Sequence, residues 1–442
     1  MKNNIDKLIK NPLFVGSLIV VIGSNFASLL NLLYHPILGK MLGPNQYGEL
    51  VAIISLLGLL AVIPTSLTLV VVKYAAIAKD DKEVSSLVIW LRSKALLASS
   101  VLSILLLVST PLILSFLRIN NPFYLILVML SFIFSSQSIL NKSVLQGLLR
   151  FKEMIISLVV ENGLKLLISI FLVYLGFQAG GAVAGFTFSA IIGWFITKFY
   201  LRNFKKENTS KFNYRHLLVY IVPVLVQSFS MTSLYSSDVI LVKHFFPSYE
   251  AGLYGALATM GRIIFFGAGP ISAVMFPMVS RNQARGYEYR KIFIYSFLAT
   301  LILALFILGV YWFIPKFAIN LLYGSAYQQA TGLLIWSGVF MALFTFSSLL
   351  VNFHLSLGYT KVVYFTVIAA LLQIVAIWFY HPDLLSVIKI SILITALLLA
   401  CLLIYSSCKQ ACDLIGFKKR SLRDEKIPSS GNQFNIGNSS GL

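Results

Sequence analysis

Charged residues are scarce in this sequence, making up 11% of its 442 residues. Hydrophobic residues make up 58%, and the mean hydropathy is +0.87. Soluble globular domains carry about 25% charged residues, so this composition excludes a soluble globular domain. The apolar residues stand in continuous runs, not in the alternating segments of about ten residues that form a membrane β-barrel. The sequence therefore predicts an all-α integral membrane protein.

Other absences narrow the function. The three cysteines lie at or beyond the last apolar run without an accompanying histidine, so neither a disulfide nor a metal site is expected. The sequence contains no G-x-x-x-x-G-K-[ST] motif, which argues against ATP as its energy source. The expected outer loops are short, and no cluster of acids and histidines lies within the apolar runs. The sequence therefore predicts neither an enzyme nor a cofactor.

Twelve apolar runs have the length of about twenty residues that a helix needs to cross the hydrocarbon core. We number them spans 1 to 12, and they lie at residues 13–37, 48–70, 94–114, 122–141, 154–175, 180–198, 217–240, 252–276, 292–313, 330–353, 362–380 and 384–405. Span 1 is not followed by a small-residue cleavage site, so we expect a retained helix rather than a signal peptide.

A short stretch between spans 1 and 2 recurs between spans 7 and 8. Residues 37–48 read ILGKMLGPNQYG and residues 240–252 read ILVKHFFPSYEAG, which share the pattern Ile-Leu-x-Lys-x-x-x-Pro before a glycine. The repetition predicts two outer hairpins and a duplicated chain with six spans in each half. Because an even number of spans separates the copies, we expect parallel repeats related by an axis along the membrane normal.

The basic residues predict the orientation in the membrane. With a cytoplasmic amino terminus, the inner segments hold 28 of the 35 lysines and arginines, and the outer loops hold four. This asymmetry predicts a multi-pass protein of the cytoplasmic membrane with both termini cytoplasmic. It also explains the net charge of +20 without nucleic-acid binding.

The predicted organisation follows from the spans and the charge. It comprises a basic collar at residues 1–12, an N-lobe at 13–200, a basic cytoplasmic linker at 201–216, a C-lobe at 217–405 and a cytoplasmic tail at 406–442. The end of the tail is rich in serine, glycine and asparagine, and we expect it to be disordered.

One face of span 1 is polar. Its side chains follow helical spacings of four, three and four residues, and they are Ser24, Ser28, Asn31 and His35. An offset of 203 residues maps Ser24 onto Gln227 and His35 onto Asp238 in span 7. We expect these faces to line a cleft between the lobes. Hydrogen bonding between helices inside a lobe is the alternative.

Charges within the spans are costly, at about 2.5–3.5 kcal/mol for a lysine or arginine at a helix centre. Lys165 and Arg262 each lie near the expected midplane, one in each half. Glu161 precedes Lys165 by four residues, so Lys165 either forms an intrahelical pair or contacts a substrate. Arg262 has no acid within four residues, and we expect it to bind either Glu161 or an anionic ligand in the cleft.

Two titratable residues, His35 and Asp238, lie near the outer ends of their spans. A buried carboxylate at Asp238 would bind a proton or a sodium ion. In the alternative interpretation, Asp238 caps the second hairpin or pairs with Lys243. We therefore consider Asp238, together with Glu161 and His35, a candidate for ion coupling or for an outer gate.

Six motifs spread over residues 13–405 resemble the polysaccharide or oligosaccharide flippases of the multidrug/oligosaccharidyl-lipid/polysaccharide exporter superfamily. They are LGPNQYGEL (42–50), GLLRFKE (147–153), GFQAGGAVAG (176–185), EAGLYGAL (250–257), LLYGSAYQQA (321–330) and LSLGYTK (355–361). Their order and spacing carry the resemblance more than any one of them does.

The resemblance implies a two-lobed, V-shaped bundle that moves a lipid-linked oligosaccharide, on a polyprenyl diphosphate carrier, from the inner to the outer leaflet for surface polysaccharide biosynthesis. It also implies cations in the cleft, a role that Lys165 and Arg262 would fit. Partners would include a polysaccharide polymerase and glycosyltransferases. Two alternatives stay open. One is a cation-coupled drug antiporter of the same superfamily, whose cleft would be acidic and aromatic, and the other is a membrane scaffold or enzyme of polysaccharide assembly.

Overall fold

The computed structural model describes residues 12–77, 80–203, 215–285 and 287–424, which are helical almost throughout and contain no strand. The first half contains α1 (Pro12–Ile77), α2 (Asp81–Val108), α3 (Thr110–Leu117), α4 (Phe123–Gly147), α5 (Phe151–Leu172), a π-helical turn (Val173–Phe177) and α6 (Gln178–Tyr200). The second half contains α7 (Arg215–Phe245), α8 (Ser248–Ala284), α9 (Arg290–Phe313), α10 (Pro315–Leu322), a 3-10 helix (Ser325–Leu333), α11 (Leu334–Ser356), α12 (Val362–Phe379) and α13 (Leu384–Asp424).

Nine helices in the described part of the chain are long and apolar enough to cross a membrane. Two of them, Ile19–Thr68 and Phe151–Tyr200, have 50 residues each, which is enough for two crossings at about 1.5 Å per residue. A further helix, α7, occupies the predicted span 7. The predicted all-α, multi-pass architecture is therefore confirmed.

The first predicted hairpin turns at a single residue inside α1. Gly43 has φ 67° and ψ 171°, a conformation that a side chain would strain and that glycine adopts freely. Pro44 then opens the second crossing, where its missing N–H leaves no helical hydrogen bond unmade. The second hairpin turns at Phe246 and Pro247, between α7 and α8. The Gly-Pro and Phe-Pro pairs thus end one helix and start the next.

Each half of the protein packs mainly against itself, and the halves meet chiefly through three helices. In the first half α1 packs against α4, α5 and α6, and in the second half α8 packs against α9 and α11. The lobes join chiefly where α1 lies against α7 and α8. Most of the predicted collar and linker, at residues 1–11 and 204–214, and the end of the predicted tail, from residue 425, lie outside the described residues.

The apolar core is continuous across the lobes near the two hairpins. Leu38 and Val51 of α1 belong to the same buried cluster as Leu241 of α7 and Tyr254 of α8. Because buried apolar surface of this kind excludes lipid and water, the hairpin end of the molecule is closed. The two cations predicted from the sequence lie below this closed end, Lys165 on α5 and Arg262 on α8.

Candidate functional site

Lys165 of α5 is a buried cation in the N-lobe. The residue is 7% exposed, and its Nζ donates a hydrogen bond to Asn31 Oδ1 of α1. The ammonium also lies 4.9 Å from the centroid of the Tyr34 ring and 5.3 Å from that of Phe186, both within cation–π range. No carboxylate among the described residues forms an ion pair with it. Neutral groups therefore hold this charge in place.

Arg262 of α8 is a buried cation in the C-lobe and is also 7% exposed. Its Nη2 donates to the backbone carbonyl of Tyr235 in α7, and its Cζ lies 5.1 Å from the centroid of the same tyrosine ring. Its Nε is buried and has no hydrogen-bond partner among the described residues. A buried donor without an acceptor costs about 1–3 kcal/mol. Arg262 therefore keeps a donor that an anion would satisfy.

His35 of α1 lies near both cations, and the charges of Lys165 and Arg262 both act on its ring. Its Nδ1 is 3.2 Å from the Tyr47 hydroxyl, and this hydrogen bond orients the imidazole. The same Tyr47 hydroxyl lies 3.3 Å from Thr259 Oγ1, three residues before Arg262 on α8, and Asn31, the partner of Lys165, lies about one turn before His35. Residues next to both cations therefore meet around His35. We define the candidate site by Asn31, His35, Lys165 and Arg262.

Four buried tyrosines extend from the candidate site toward the hairpin end, and we call them the tyrosine cluster: Tyr34, Tyr47, Tyr323 and Tyr327. Each is at most 1% exposed. The Tyr47 hydroxyl is 3.0 Å from the Tyr323 hydroxyl and 3.3 Å from Thr259 Oγ1. Tyr327 donates to the Gly39 carbonyl at 2.9 Å. Because Tyr323 and Tyr327 follow α10 in the C-lobe, the cluster joins the two lobes.

The two hairpins themselves meet through glycine. A Cβ placed on Gly252 would lie 1.9 Å from the Pro44 carbonyl oxygen, and one on Gly48 would lie 2.8 Å from the Gly252 nitrogen. Only residues without side chains permit this approach of one backbone to the other. Lys40 adds a hydrogen bond from its Nζ to the Leu321 carbonyl at 2.7 Å.

Asp238 of α7 is buried inside the C-lobe at 1% exposure. Its Oδ2 accepts a hydrogen bond from the Tyr254 hydroxyl at 2.7 Å, and its Oδ1 accepts one from the Val239 amide at 2.8 Å. The charge of Arg262 also acts on this carboxylate. The alternative pair with Lys243 does not form, because the Lys243 ammonium donates to Ser248 Oγ at 2.7 Å.

Glu161 takes neither of the two partners expected from the sequence. Its Oε2 lies 2.8 Å from Lys142 Nζ and accepts from Ser138 Oγ at 2.9 Å, both on α4. The intrahelical pair with Lys165 is replaced by a contact between helices, since Lys165 turns toward α1 instead. Glu161 is not the partner of Arg262 either. Ser138 and Lys142 thus bind Glu161 inside the N-lobe.

Two predicted site residues remain, Ser28 and Gln227. Ser28 precedes Asn31 by about one turn and is exposed, and Gln227 is half-buried on α7. Among the described residues, the hydrogen bonds of Asn31, His35, Lys165 and Arg262 involve neither of them. The sequence interpretation missed the tyrosine cluster, although three of its members stand in motifs that it singled out: LGPNQYGEL contains Tyr47, and LLYGSAYQQA contains Tyr323 and Tyr327. No group of three or more potential metal ligands occurs in the described residues.

A family model described as "Polysaccharide biosynthesis protein" matches residues 14–283, more than half of the chain. The chain belongs to this family. No curated protein matches it in sequence.

Solved structures of other proteins share its fold. An inward-facing multidrug resistance MATE family transporter of the MOP superfamily has a TM-score of 0.72 at 15% identity, covering 87% of this chain and 96% of that one. The lipid II flippase MurJ in an inward closed conformation has a TM-score of 0.70 at 16% identity, covering 88% and 87%. A MOP superfamily transporter from Pyrococcus furiosus has a TM-score of 0.59 at 18% identity, covering 90% and 97%. This member of the polysaccharide biosynthesis family therefore shares its fold with these transporters.

Proposed function

We propose that this protein is a transporter, not an enzyme, that moves a lipid-diphosphate-linked oligosaccharide from the inner to the outer leaflet of the cytoplasmic membrane. The head group would cross between the lobes while the polyprenyl tail stays in the bilayer. The observation that carries the proposal is the pair of buried cations, one on each lobe: Lys165, which binds Asn31 of α1, and Arg262, which binds the Tyr235 carbonyl of α7.

A diphosphate needs such cations because desolvating an unpaired anion is prohibitive. Arginine and lysine form short, charge-assisted hydrogen bonds to phosphate oxygens. The Arg262 Nε offers one such donor, because it is buried and has no partner among the described residues. The hydrogen bond from Nη2 to the Tyr235 carbonyl holds the guanidinium in place. The Lys165 ammonium, held by Asn31 and aromatic rings, would exchange these neutral contacts for the phosphate.

Alternating access is the mechanism that we propose for this fold. In the structure the hairpins and the tyrosine cluster close one end, which the charge asymmetry assigns to the outer side. Release to the outer leaflet would require Gly252 to separate from Pro44 and the tyrosines of the two lobes to part. Asp238 is our candidate for coupling to a proton or sodium ion, because its carboxylate is buried in the C-lobe near Arg262.

The second candidate function is a cation-coupled drug antiporter, which the fold shared with MATE transporters favours. Such a transporter needs free acids in its cleft. In the described part of the chain three acids lie within the spans. Glu161 binds Lys142 and Asp238 binds Tyr254, whereas Glu49 lies at the hairpin end of span 2, away from the candidate site. The two charged residues of the candidate site, Lys165 and Arg262, are both cationic. The charge of the candidate site therefore supports an anionic substrate.

The test compares three variants in proteoliposomes that contain a fluorescent polyprenyl-diphosphate glycan. Arg262→Gln should reduce flipping at least tenfold, because losing a charged hydrogen bond to the substrate costs about 1.5–3 kcal/mol. Arg262→Lys should retain part of the activity, because a charge remains. Arg281→Gln, an exposed position on the same helix, is the matched control. Normal flipping by Arg262→Gln would refute the proposal, and efflux of a cationic dye instead would support the antiporter.

The coupling role of Asp238 is tested separately in the same vesicles. Asp238→Asn should abolish the response of flipping to an imposed proton or sodium gradient while leaving the protein folded. If wild-type flipping shows no gradient dependence, Asp238 has no coupling role.

We further propose that glycosyltransferases of the same assembly route act on the substrate before this step and that the polysaccharide polymerase acts on it afterwards.

A further inference from the structure

A cavity of about 160 Å³ lies in the N-lobe, away from the candidate site. Its walls come from α1 at Pro64, α2 from Trp90 to Leu102, and α4 around Phe132, and neither α7 nor α8 lines it. The two serines in the walls, Ser99 and Ser136, donate to carbonyls of their own helices at 2.7 Å and 2.6 Å. The interior surface is therefore apolar, and a single cation, Lys94, lines it.

The cavity begins at the level of the membrane interface. Exposed large apolar residues on α2 begin at Leu96 and continue to Val108, whereas Lys94, just before them, is exposed and charged. Trp90 lies about one turn earlier, at the level where tryptophan is enriched in membrane proteins. From Lys94 to Leu102 the helix rises about 12 Å, which is most of the hydrocarbon depth of one leaflet, about 15 Å.

We propose that this cavity binds one acyl chain of an anionic phospholipid whose phosphate pairs with Lys94. An apolar protein cavity of about 150 Å³ takes up benzene, so this one accommodates a stretch of about six carbons. Lys94 is available for the phosphate, because no carboxylate among the described residues forms an ion pair with it. The positive-inside asymmetry puts Lys94 on the cytoplasmic side, where the anionic lipids lie.

The competing occupant is a polyprenyl diphosphate. A diphosphate bears more charge than a phosphodiester and calls for more than one cation, as the candidate site provides with Lys165 and Arg262. The N-lobe cavity has only Lys94 in its lining. The single rim charge therefore favours a phospholipid, and the proposal stands whether or not the transported substrate is a lipid-linked glycan.

The test measures lipid retained by the full-length protein. The protein is reconstituted in vesicles of equal phosphatidylglycerol and phosphatidylcholine, transferred to detergent, and examined by native mass spectrometry. The wild type should retain phosphatidylglycerol in preference to phosphatidylcholine. Lys94→Gln should lower that retention about fivefold, the effect of one lysine at an anionic surface, and Lys94→Arg should preserve it. Ala98→Phe, which fills the cavity, should lower the retention of both lipids.

The matched control is Lys152→Gln, an exposed lysine near the start of α5 that does not line this cavity. It should retain phosphatidylglycerol as the wild type does. Equal retention of phosphatidylglycerol by Lys94→Gln and the wild type would overturn the proposal, as would equal binding of the two phospholipids to the wild type. Displacement of phosphatidylglycerol by stoichiometric polyprenyl diphosphate would reassign the cavity to the carrier lipid and overturn the proposal as well.

Discussion

Replacing Gly252 with alanine should open the hairpin end of the molecule. The added Cβ would lie 1.9 Å from the Pro44 oxygen, 2.5 Å from its carbonyl carbon and 2.8 Å from its Cα, whereas ordinary contact begins at 3.4 Å. All three atoms belong to the backbone and cannot rotate aside. The hairpins must therefore separate by about 1.5 Å at this point.

This clash raises the free energy of the closed arrangement alone, because the added methyl group contacts the other lobe only when the hairpins are together. Overpacking by one methyl group in a close-packed site costs about 1–3 kcal/mol. That penalty changes the ratio of closed to open molecules by about 5- to 160-fold in favour of the open form. Gly48→Ala should act in the same direction but less strongly, since its closest contact would be 2.8 Å.

The assay is a distance distribution measured by pulsed electron paramagnetic resonance. Spin labels at Asn45 and Gln328, both exposed and on different lobes, report the separation of the hairpin ends in a background without native cysteines. Gly58→Ala is the control, because a Cβ there meets nothing within 4 Å. Unchanged distances in Gly252→Ala, or equal opening in Gly58→Ala, would show that the glycine contact does not hold the lobes together.

Three further outcomes are expected. Tyr327→Phe, which loses one buried hydrogen bond between the lobes, should favour the open form about fivefold, measured with the same labels. Lys142→Met leaves the Glu161 carboxylate without its ion pair and should destabilise the protein by about 1–3 kcal/mol; Glu161→Gln added to it should recover most of the loss in thermal unfolding. Hydrogen bonds from the Ser386 side chain and from the Ser386 amide, the latter at 2.8 Å, lower the pKa of Asp383. Because the pKa of Asp383 is lower in the folded than in the unfolded protein, this cap stabilises α13 at any pH above the unfolded-state pKa. The stabilisation is lost as the pH falls through the folded-state pKa, so hydrogen exchange at the start of α13 should increase in acid.

The architecture could be predicted because the bilayer imposes strong and local constraints. Long apolar runs must become helices, since backbone groups in lipid have no other partners. The repeated hairpin could be found because its turn depends on residues with special backbones, and Gly43 and Pro44 adopt the conformations that their types favour. These properties belong to segments, so a single sequence displays them.

The pairing of charges could not be predicted, because it depends on which helices become neighbours. Glu161 and Lys165 have the spacing of an intrahelical pair, yet packing places Lys142 of α4 against Glu161 and Asn31 of α1 against Lys165. The tyrosine cluster was missed for a similar reason. Tyr323 and Tyr327 lie about 280 residues from the α1 segment that they contact, and tyrosine near a span end is otherwise typical of the membrane interface.

The predicted duplication holds at the hairpins and not at the candidate site. The second hairpin is one residue longer, so beyond the hairpins the offset is 204 residues, which maps Lys165 onto Ala369 and Arg262 onto Gly58; neither cation has a charged counterpart in the other repeat. Each lobe instead contributes one cation from a different helix. An anion bound between them would stabilise the arrangement in which the lobes are together, on the side below the tyrosine cluster. If the protein has the proposed function, opening of the hairpin end would also separate Lys165 from Arg262. The movement that exposes the substrate would then weaken its binding.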